Sequence, residues 1–255
     1  MELVIQVYLY DILYETDTYR RRAKQIRQME IDECFLRNLH HPLIQHIHLL
    51  CENEETKDYY ENLASKYGKQ INCVFILYGK QPTYAEIVRY VSIHIPDNQI
   101  VCIQNSDIYI DHNLSIDFLS TSLPYNVFIS LTRHEHTDDT HTKCDVTTCP
   151  LIWDYQGSHD TFIFRTPVPI HFPYDSVNIP QNVYGAEAVF MKAWKDTGKT
   201  LFNPCFDISI FHRHMNRISF QQYNTVADGY LCNVSPSAPK DRPDIQANLK
   251  TLFKE

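Results

Sequence analysis

Short apolar runs and amphipathic stretches alternate through the first half of the chain, and the two periods stay separate. Leu3 to Leu9 is an apolar run of strand length. In Arg20 to Leu39, Ile31, Cys34, Phe35 and Leu39 fall at i, i+3, i+4 and i+8, the spacing of one helical face. Beyond Pro42, Ile44 to Cys51 reads as a second strand, Glu55 to Tyr67 as a second helix stopped by Gly68, and Ile71 to Tyr78 as a third, β-branched strand. The third helix has the clearest start. Thr83-Tyr84-Ala85-Glu86 is a capping box directly after Pro82, with Tyr84, Ile87, Val88 and Val91 on one face. Ile100 to Ile103 is a fourth strand. Four strands separated by three helices predict a parallel sheet with right-handed crossovers, although the strand order is not written in this pattern.

The second half changes character. Short strands are expected at Val127 to Leu131, Thr161 to Phe164 and Ile208 to Phe211, with a long polar insertion from His134 to Pro150. One helix, Tyr184 to Lys195, carries Ala186, Val189, Phe190 and Ala193 at helical spacing and stops at Gly198. Ser235-Pro236-Ser237-Ala238-Pro239 reads as a linker or tail. The expected organisation is one domain over 1–232, divided near residue 111, followed by a tail over 233–255.

Composition narrows the function classes. At 255 residues the chain can bury a sizeable core. A net charge of -8 and a pI near 5.9 supply no basic field for nucleic acid or an anionic membrane. The basic run Arg20-Arg21-Arg22 with Lys24 and Arg27 stands among Glu30, Asp32 and Glu33, which reads as a solvated helix face; phosphate contact by one arginine is the alternative. Eight cysteines form no spaced framework, and Cys51, Cys73, Cys102 and Cys205 lie in or beside apolar runs, as buried reduced thiols do. Met1 to Ile5 lacks a signal-peptide pattern and no window has membrane-spanning length, so residence in the cytoplasm is expected.

The chemistry concentrates at Asn105-Ser106-Asp107, where the fourth strand runs out. In an open α/β sheet, ligands bind outside the carboxyl ends of the strands. A carboxylate-bearing turn there can hold a hard divalent cation through oxygen, and the cation can grip a diphosphate. An Asx-type turn after a strand accounts for the same residues. His212 and His214, two apart at the end of an expected strand, would share a face. Tyr8, Tyr10 and Asp11 follow the first strand, where an aromatic ring can stack on a nucleobase and a carboxylate can accept from its imide N–H; a half-buried strand explains the tyrosines equally well.

These residues belong to an ordered series: Arg27-Gln28-x-Glu30, Asn38, Ile47-x-Leu49-Leu50-x-Glu52, Pro82-Thr83-Tyr84, Asn105-Ser106-Asp107-Ile108-Tyr109-Ile110-Asp111, Leu131-Thr132-Arg133, Gly157-Ser158-His159-Asp160-Thr161-Phe162-Ile163-Phe164, Asn203-Pro204-Cys205 and His212-x-His214. The series resembles a group of GT-A-fold nucleotide-sugar glycosyltransferases found in bacteria and large DNA viruses, and it covers the chain to about residue 225. The resemblance implies a GT-A-like, Rossmann-type mixed α/β sheet flanked by helices. It also implies transfer of a sugar from a nucleotide sugar, UDP-linked by preference, to a glycan or other hydroxyl acceptor, assisted by Mn²⁺ or Mg²⁺. On that basis Asn105, Ser106 and Asp107, a "DxD"-like turn, meet the donor together with Tyr8, Tyr10 and Asp11. Asp107 is the first metal ligand, joined by His214 or His212; an imidazole ligand suits Mn²⁺. Glu187, in the opening turn of the late helix, is placed to deprotonate an acceptor hydroxyl if configuration inverts, and Asp160 is the other acid. A helix-start acid favoured by the macrodipole is the plainer account of Glu187, and a turn cap that of Asp160. Two positions depart from the group's pattern. Asn105 stands where the first acid of the triplet is usual, and Glu187-Ala188 stands where related chains carry an acid followed by Asn.

Two further readings complete the sequence picture. His134, His136, His141, Cys144 and Cys149 crowd into the polar insertion and could hold Zn²⁺, although the Cys-x₄-Cys spacing is looser than a zinc knuckle; a ligand-ordered loop on the acceptor side is the favoured alternative. An inactive nucleotide-sugar-binding protein of the same fold is the rival to the enzyme. A nucleotidyltransferase is disfavoured, because no Gly-rich phosphate loop follows the first strand.

Overall fold

A computed structural model describes residues 1–67, 72–112, 123–136, 159–181, 183, 185–205 and 208–215. The expected tail over 233–255, and Cys144 and Cys149 of the insertion, lie outside them. The strands are β1 (Glu2–Val7), β2 (His46–Cys51), β3 (Asn72–Leu77), β4 (Ile100–Gln104), β5 (Ile108–Ile110), β6 (Val127–Leu131), β7 (His134–His136), β8 (Thr161–Arg165), β9 (Thr200–Phe202) and β10 (Ile210–Arg213). The helices are α1 (Thr18–Leu39), α2 (Glu54–Tyr67), α3 (Tyr84–His94) and α4 (Ala186–Asp196), with a short 3-10 helix at Tyr174–Val177.

The protein is a mixed α/β fold. Its main sheet has seven strands in the order β3-β2-β1-β4-β8-β6-β9. β3, β2, β1 and β4 run parallel, β8 is antiparallel to both β4 and β6, and β9 is parallel to β6. The chain builds β1 to β3 in one direction and then returns to place β4 on the other side of β1. That reversal makes the β1/β4 boundary a topological switch point, where a crevice opens beyond the carboxyl ends of the strands. A second, three-stranded sheet in the order β5-β10-β7 stands beside it.

All six residues of β1 are buried, as expected of a parallel strand covered on both faces. Leu3, Ile5 and Val7 face one core with Ile31 and Phe35 of α1, Tyr60 of α2 and Leu49 of β2. Val4 faces the other, with Val88 of α3, Phe162 and Phe164 of β8, and Phe190 and Trp194 of α4. Trp194 anchors that second core, its ring 4.4 Å from Phe164 and 5.0 Å from Phe128.

Helix ends follow local chemistry. The Asp17 carboxylate caps α1, accepting from the Tyr19 and Arg20 N–H groups at 2.9 and 3.0 Å. The capping box of α3 forms as its sequence requires: Glu86 N–H donates to Thr83 Oγ1 at 3.3 Å and Thr83 N–H to Glu86 Oε2 at 2.9 Å. Gly198, at φ +89°, ends α4 by donating to the Lys195 carbonyl at 2.9 Å.

The first three residues of the expected insertion from His134 form a strand instead. His134–His136 is a strand paired with β10. His134 Nε2 lies 3.2 Å from the Cys205 carbonyl and His136 Nδ1 lies 2.9 Å from the Tyr109 hydroxyl. Both side chains are buried in these contacts, and the other groups of the zinc reading, His141, Cys144 and Cys149, lie outside the described residues. Among the described residues no helix is long and apolar enough to cross a membrane.

Candidate functional site

The switch point brings together the segment after β1 and the turn after β4. Tyr8 and Tyr10 meet edge to face at 5.3 Å, with their hydroxyls 3.3 Å apart. Tyr10 N–H donates to Gln28 Oε1 at 3.1 Å, which fixes this segment against α1. Asp11 is exposed and its carboxylate accepts from Tyr14 N–H at 3.3 Å. Burial raises the Tyr8 pKa well above normal, and the Tyr10 hydroxyl and the Asp107 charge add to it, so the β1 and β4 ends share one electrostatic neighbourhood.

Asp107 is the centre of a charged chain. Its Oδ2 accepts from Arg27 Nη2 at 2.7 Å and from His212 Nε2 at 3.1 Å. The His212 Nδ1 meets Glu135 Oε2 at 3.0 Å, and Glu135 Oε1 accepts from Arg133 Nε at 2.8 Å. Arg133 Nη1 then reaches Asp160 Oδ1 at 2.9 Å, an oxygen that also accepts from Asn105 Nδ2 at 3.0 Å. Asn105 and Ser106 are half-buried in the turn, and Asn105 N–H donates to the Asp160 carbonyl at 3.1 Å. Where an acid would repel Asp160, the Asn105 amide ties the β4 turn to the lead-in of β8.

Charge and burial oppose each other along this chain, and charge wins. Desolvation favours a neutral Asp107, yet His212 and Arg27 hold its carboxyl well below the usual range. Desolvation likewise disfavours the His212 imidazolium, but Asp107 and the hydrogen bond to Glu135 raise its pKa to about 9. Glu135 falls to about 2 against its own burial, through His212 and Arg133. His214 behaves in the opposite way. Burial, reinforced by the positive charge of His212 and Arg27, lowers it to about 4, and its Nδ1 stands 3.3 Å from Arg27 Nη1.

Arg27 corrects the reading of the basic run. Arg20, Arg21 and Arg22 are exposed, but Arg27 is 9% exposed and its ion-pair partner Glu30 is 0% exposed. The signal was present in the spacing: Arg27, Ile31 and Phe35 stand at i, i+4 and i+8, so the guanidinium shares the helix face that packs inward. Arg133 and Glu135 also escaped notice as chemistry, because nothing local distinguishes them before β7 and β10 pair.

The two acids proposed for catalysis are close enough to act on each other. Gly185 precedes α4 at φ +84°, a left-handed conformation that glycine adopts freely, and it turns the chain so that Glu187 enters the first turn. Desolvation, then the Asp160 charge, pushes the Glu187 pKa up to about 8. Asp160 is pinned by Arg133 and Asn105, whereas Glu187 is the neighbour whose charge is unwelcome. A carboxyl whose pKa is raised in this way can exchange a proton near neutral pH.

The donor set for a divalent ion is poor. His212 has both ring nitrogens committed to carboxylates, one oxygen of Asp107 is shared by two cationic donors, and His214 faces a guanidinium. Among the described residues no three His, Cys, Asp or Glu side chains are grouped so as to hold a metal ion. As arranged, these residues do not fit a resident Mn²⁺ or Mg²⁺.

No protein-family model matches this chain, and no curated protein matches it. Solved structures align with it at low identity and with TM-scores below 0.5. The inositol-1-phosphate CTP transferase from T. maritima aligns over 100% of this chain and 96% of its own, at 11% identity and a TM-score of 0.48. The 4-diphosphocytidyl-2C-methyl-D-erythritol synthase from Anaerococcus prevotii DSM 20548 aligns over 78% and 84%, at 11% identity and a TM-score of 0.43. Residues 1–349 of S. aureus TarS align over 85% of this chain and 58% of that one, at 11% identity and a TM-score of 0.41.

Proposed function

We propose that this chain is a glycosyltransferase that moves a sugar from a nucleotide-sugar donor to an acceptor hydroxyl. The observation that carries the reading is a convergence at one switch-point crevice. The Tyr8/Tyr10 segment, the Asp107 carboxylate and the Asp160/Glu187 pair meet there, although they come from four separate parts of the chain.

Each group has a role that its surroundings suit. Tyr8, Tyr10 and Asp11 take the nucleobase, by ring contact and by the carboxylate. Asp107 keeps Oδ1 without a protein partner among the described residues, which suits it to accept from a ribose hydroxyl. Arg27 and the protonated His212 stand beside it as fixed positive groups facing the leaving diphosphate. Glu187, once deprotonated, is a strong enough base to take the proton of an attacking hydroxyl, and Asp160 both orients the rim through Arg133 and raises the Glu187 pKa. No step is routed through a metal ion, because the donor set does not fit one. A nucleotidyltransferase remains the less favoured alternative: no glycine occurs before Gly68, so no Gly-rich loop follows β1 to cradle a triphosphate.

The test is turnover. UDP-, dTDP-, GDP- and CMP-linked sugars are incubated with the protein and simple alcohol or glycan acceptors, and release of the nucleotide is followed. One donor should be consumed, faster with acceptor than with water. Binding without any turnover would identify an inactive binding protein, and consumption of a nucleoside triphosphate with a sugar phosphate would identify a nucleotidyltransferase.

A further inference from the structure

The hydrogen bond that Tyr10 N–H donates to Gln28 Oε1, at 3.1 Å, is the end of a longer chain of contacts. Gln28 is 7% exposed, and its amide nitrogen is committed as firmly as its oxygen. Nε2 donates to Asp32 Oδ1 at 2.9 Å and to the Tyr60 hydroxyl at 3.2 Å. The Tyr60 hydroxyl donates in turn to the same Asp32 oxygen at 3.3 Å, and the Tyr59 hydroxyl donates to Asp32 Oδ2 at 2.5 Å. Gln28 and Asp32 stand four apart on one face of α1, whereas Tyr59 and Tyr60 come from α2. The Asp32 carboxylate thus gathers donors from both helices, and through the Gln28 amide it reaches the segment after β1.

The direction of these bonds matters, because an amide can be turned over. The nitrogen and oxygen of Gln28 have nearly the same shape and opposite chemistry. An ionised Asp32 only accepts, so the nitrogen must face it and the oxygen must face Tyr10 N–H. Without an acceptor at position 32 the reversed amide fits equally well, its oxygen accepting from the Tyr60 hydroxyl. That reversal sets N–H against N–H at Tyr10. Burial pushes the Asp32 pKa up, and the hydrogen bonds from Tyr59, Gln28 and Tyr60 oppose it, so the carboxylate is held here against its own desolvation. A buried polar network adds little net stability over apolar packing; what a fully satisfied one supplies is a single fixed arrangement.

The part so fixed is the donor side of the crevice, where Tyr10 meets Tyr8 edge to face at 5.3 Å. We propose that Asp32 is a positioning residue for the nucleotide: acting through the Gln28 amide, it holds the Tyr8/Tyr10 segment in the conformation that takes the base. The inference rests on the nucleotide-sugar reading above and requires no contact between Asp32 and the ligand.

Calorimetry of the full chain tests it, with the member of the UDP-, dTDP-, GDP- and CMP-linked sugar panel that binds best, through a double-mutant cycle on Gln28 and Asp32. Asp32→Leu and Gln28→Leu should each weaken the nucleotide sugar by about tenfold. The double variant should bind within about twofold of Gln28→Leu alone, because Asp32 then has no amide left to orient. In Asp32→Asn the side chain can turn its oxygen to Gln28 and Tyr60 and its nitrogen to the Tyr59 hydroxyl, so affinity should return to within about threefold of wild type. Should Asp32→Leu disturb the packing of α1 on α2, Asp32→Ala takes its place in the cycle. No loss in either single variant, losses that multiply in the double variant, or Asp32→Asn as weak as Asp32→Leu would overturn the inference and leave the nucleotide-sugar reading standing. If no panel member binds the wild type, the reading falls and the inference with it.

Discussion

Glu187 carries the clearest conflict between stability and chemistry in the molecule. Its carboxyl is desolvated and faces Asp160, so its pKa in the folded state is about 8. Between its ordinary pKa near 4.5 and about 8, the folded state keeps a proton that the unfolded state releases. Folding stability therefore falls as pH rises through that window and is highest below it, as far as this group is concerned. Glu187→Gln removes the conflict, so its melting temperature at pH 8 should equal or exceed that of wild type while kcat drops roughly 10²-fold or more. A variant with normal kcat would return Glu187 to a helix-start acid. In the wild type kcat should rise with pH up to about 8, the deprotonation of this base. Asp107 makes a separate statement about metals. Arg27 and His212 already occupy Oδ2, so excess chelator should change nucleotide-sugar affinity by less than about threefold. Binding that disappears in chelator and returns with Mn²⁺ would show that a cation displaces these donors. Legibility at this scale was uneven. Asp107, His212 and His214 were readable as a cluster at strand ends, and the structure brings them together. Arg27 was legible only as a position on the inward face of α1, and Arg133 and Glu135 were not legible as chemistry, because Asp160 and His212 lie far from them in sequence and only the fold brings these groups close.

At the scale of elements, the local signals that are self-contained proved reliable. The α3 capping box needs only four consecutive residues, and the structure forms it where the sequence places it. Thr83→Ala removes the side-chain acceptor of that box and should cost about 1 kcal/mol, a fall of roughly 2–4 °C in Tm. Trp194 is a harsher test of the second core. It is fully buried against Phe128, Phe164 and Phe172, and Trp194→Ala should cost roughly 3–5 kcal/mol by opening a cavity behind α4. Circular dichroism melts decide both. The strands that sequence reading missed, β5, β7 and β9, are three residues long each. Three residues cannot display a period, and their extended form comes from pairing with β10 or β6 rather than from their own side chains.

For the whole molecule, the alternation of strands and helices made a parallel sheet legible over β1 to β4, and the structure has it. The order β3-β2-β1-β4 was not legible, since right-handed crossovers permit more than one sequence of neighbours. That order nonetheless matters most for function, because it puts the switch point between the Tyr8/Tyr10 segment and Asp107. A ligand bound there contacts both sides of the crevice and stabilises only the folded chain, by about 2.7 kcal/mol at a hundred times its Kd. Thermal melts of wild type and Asp107→Asn against the nucleotide-sugar panel measure this directly. Asp107→Asn keeps size and position while removing the charge that Arg27 and His212 share. One nucleotide sugar should raise the wild-type midpoint by several degrees and leave the folded Asp107→Asn protein unshifted. No shift with any nucleotide or nucleotide sugar, or an equal shift in both proteins, would mean that this crevice is not where a donor binds.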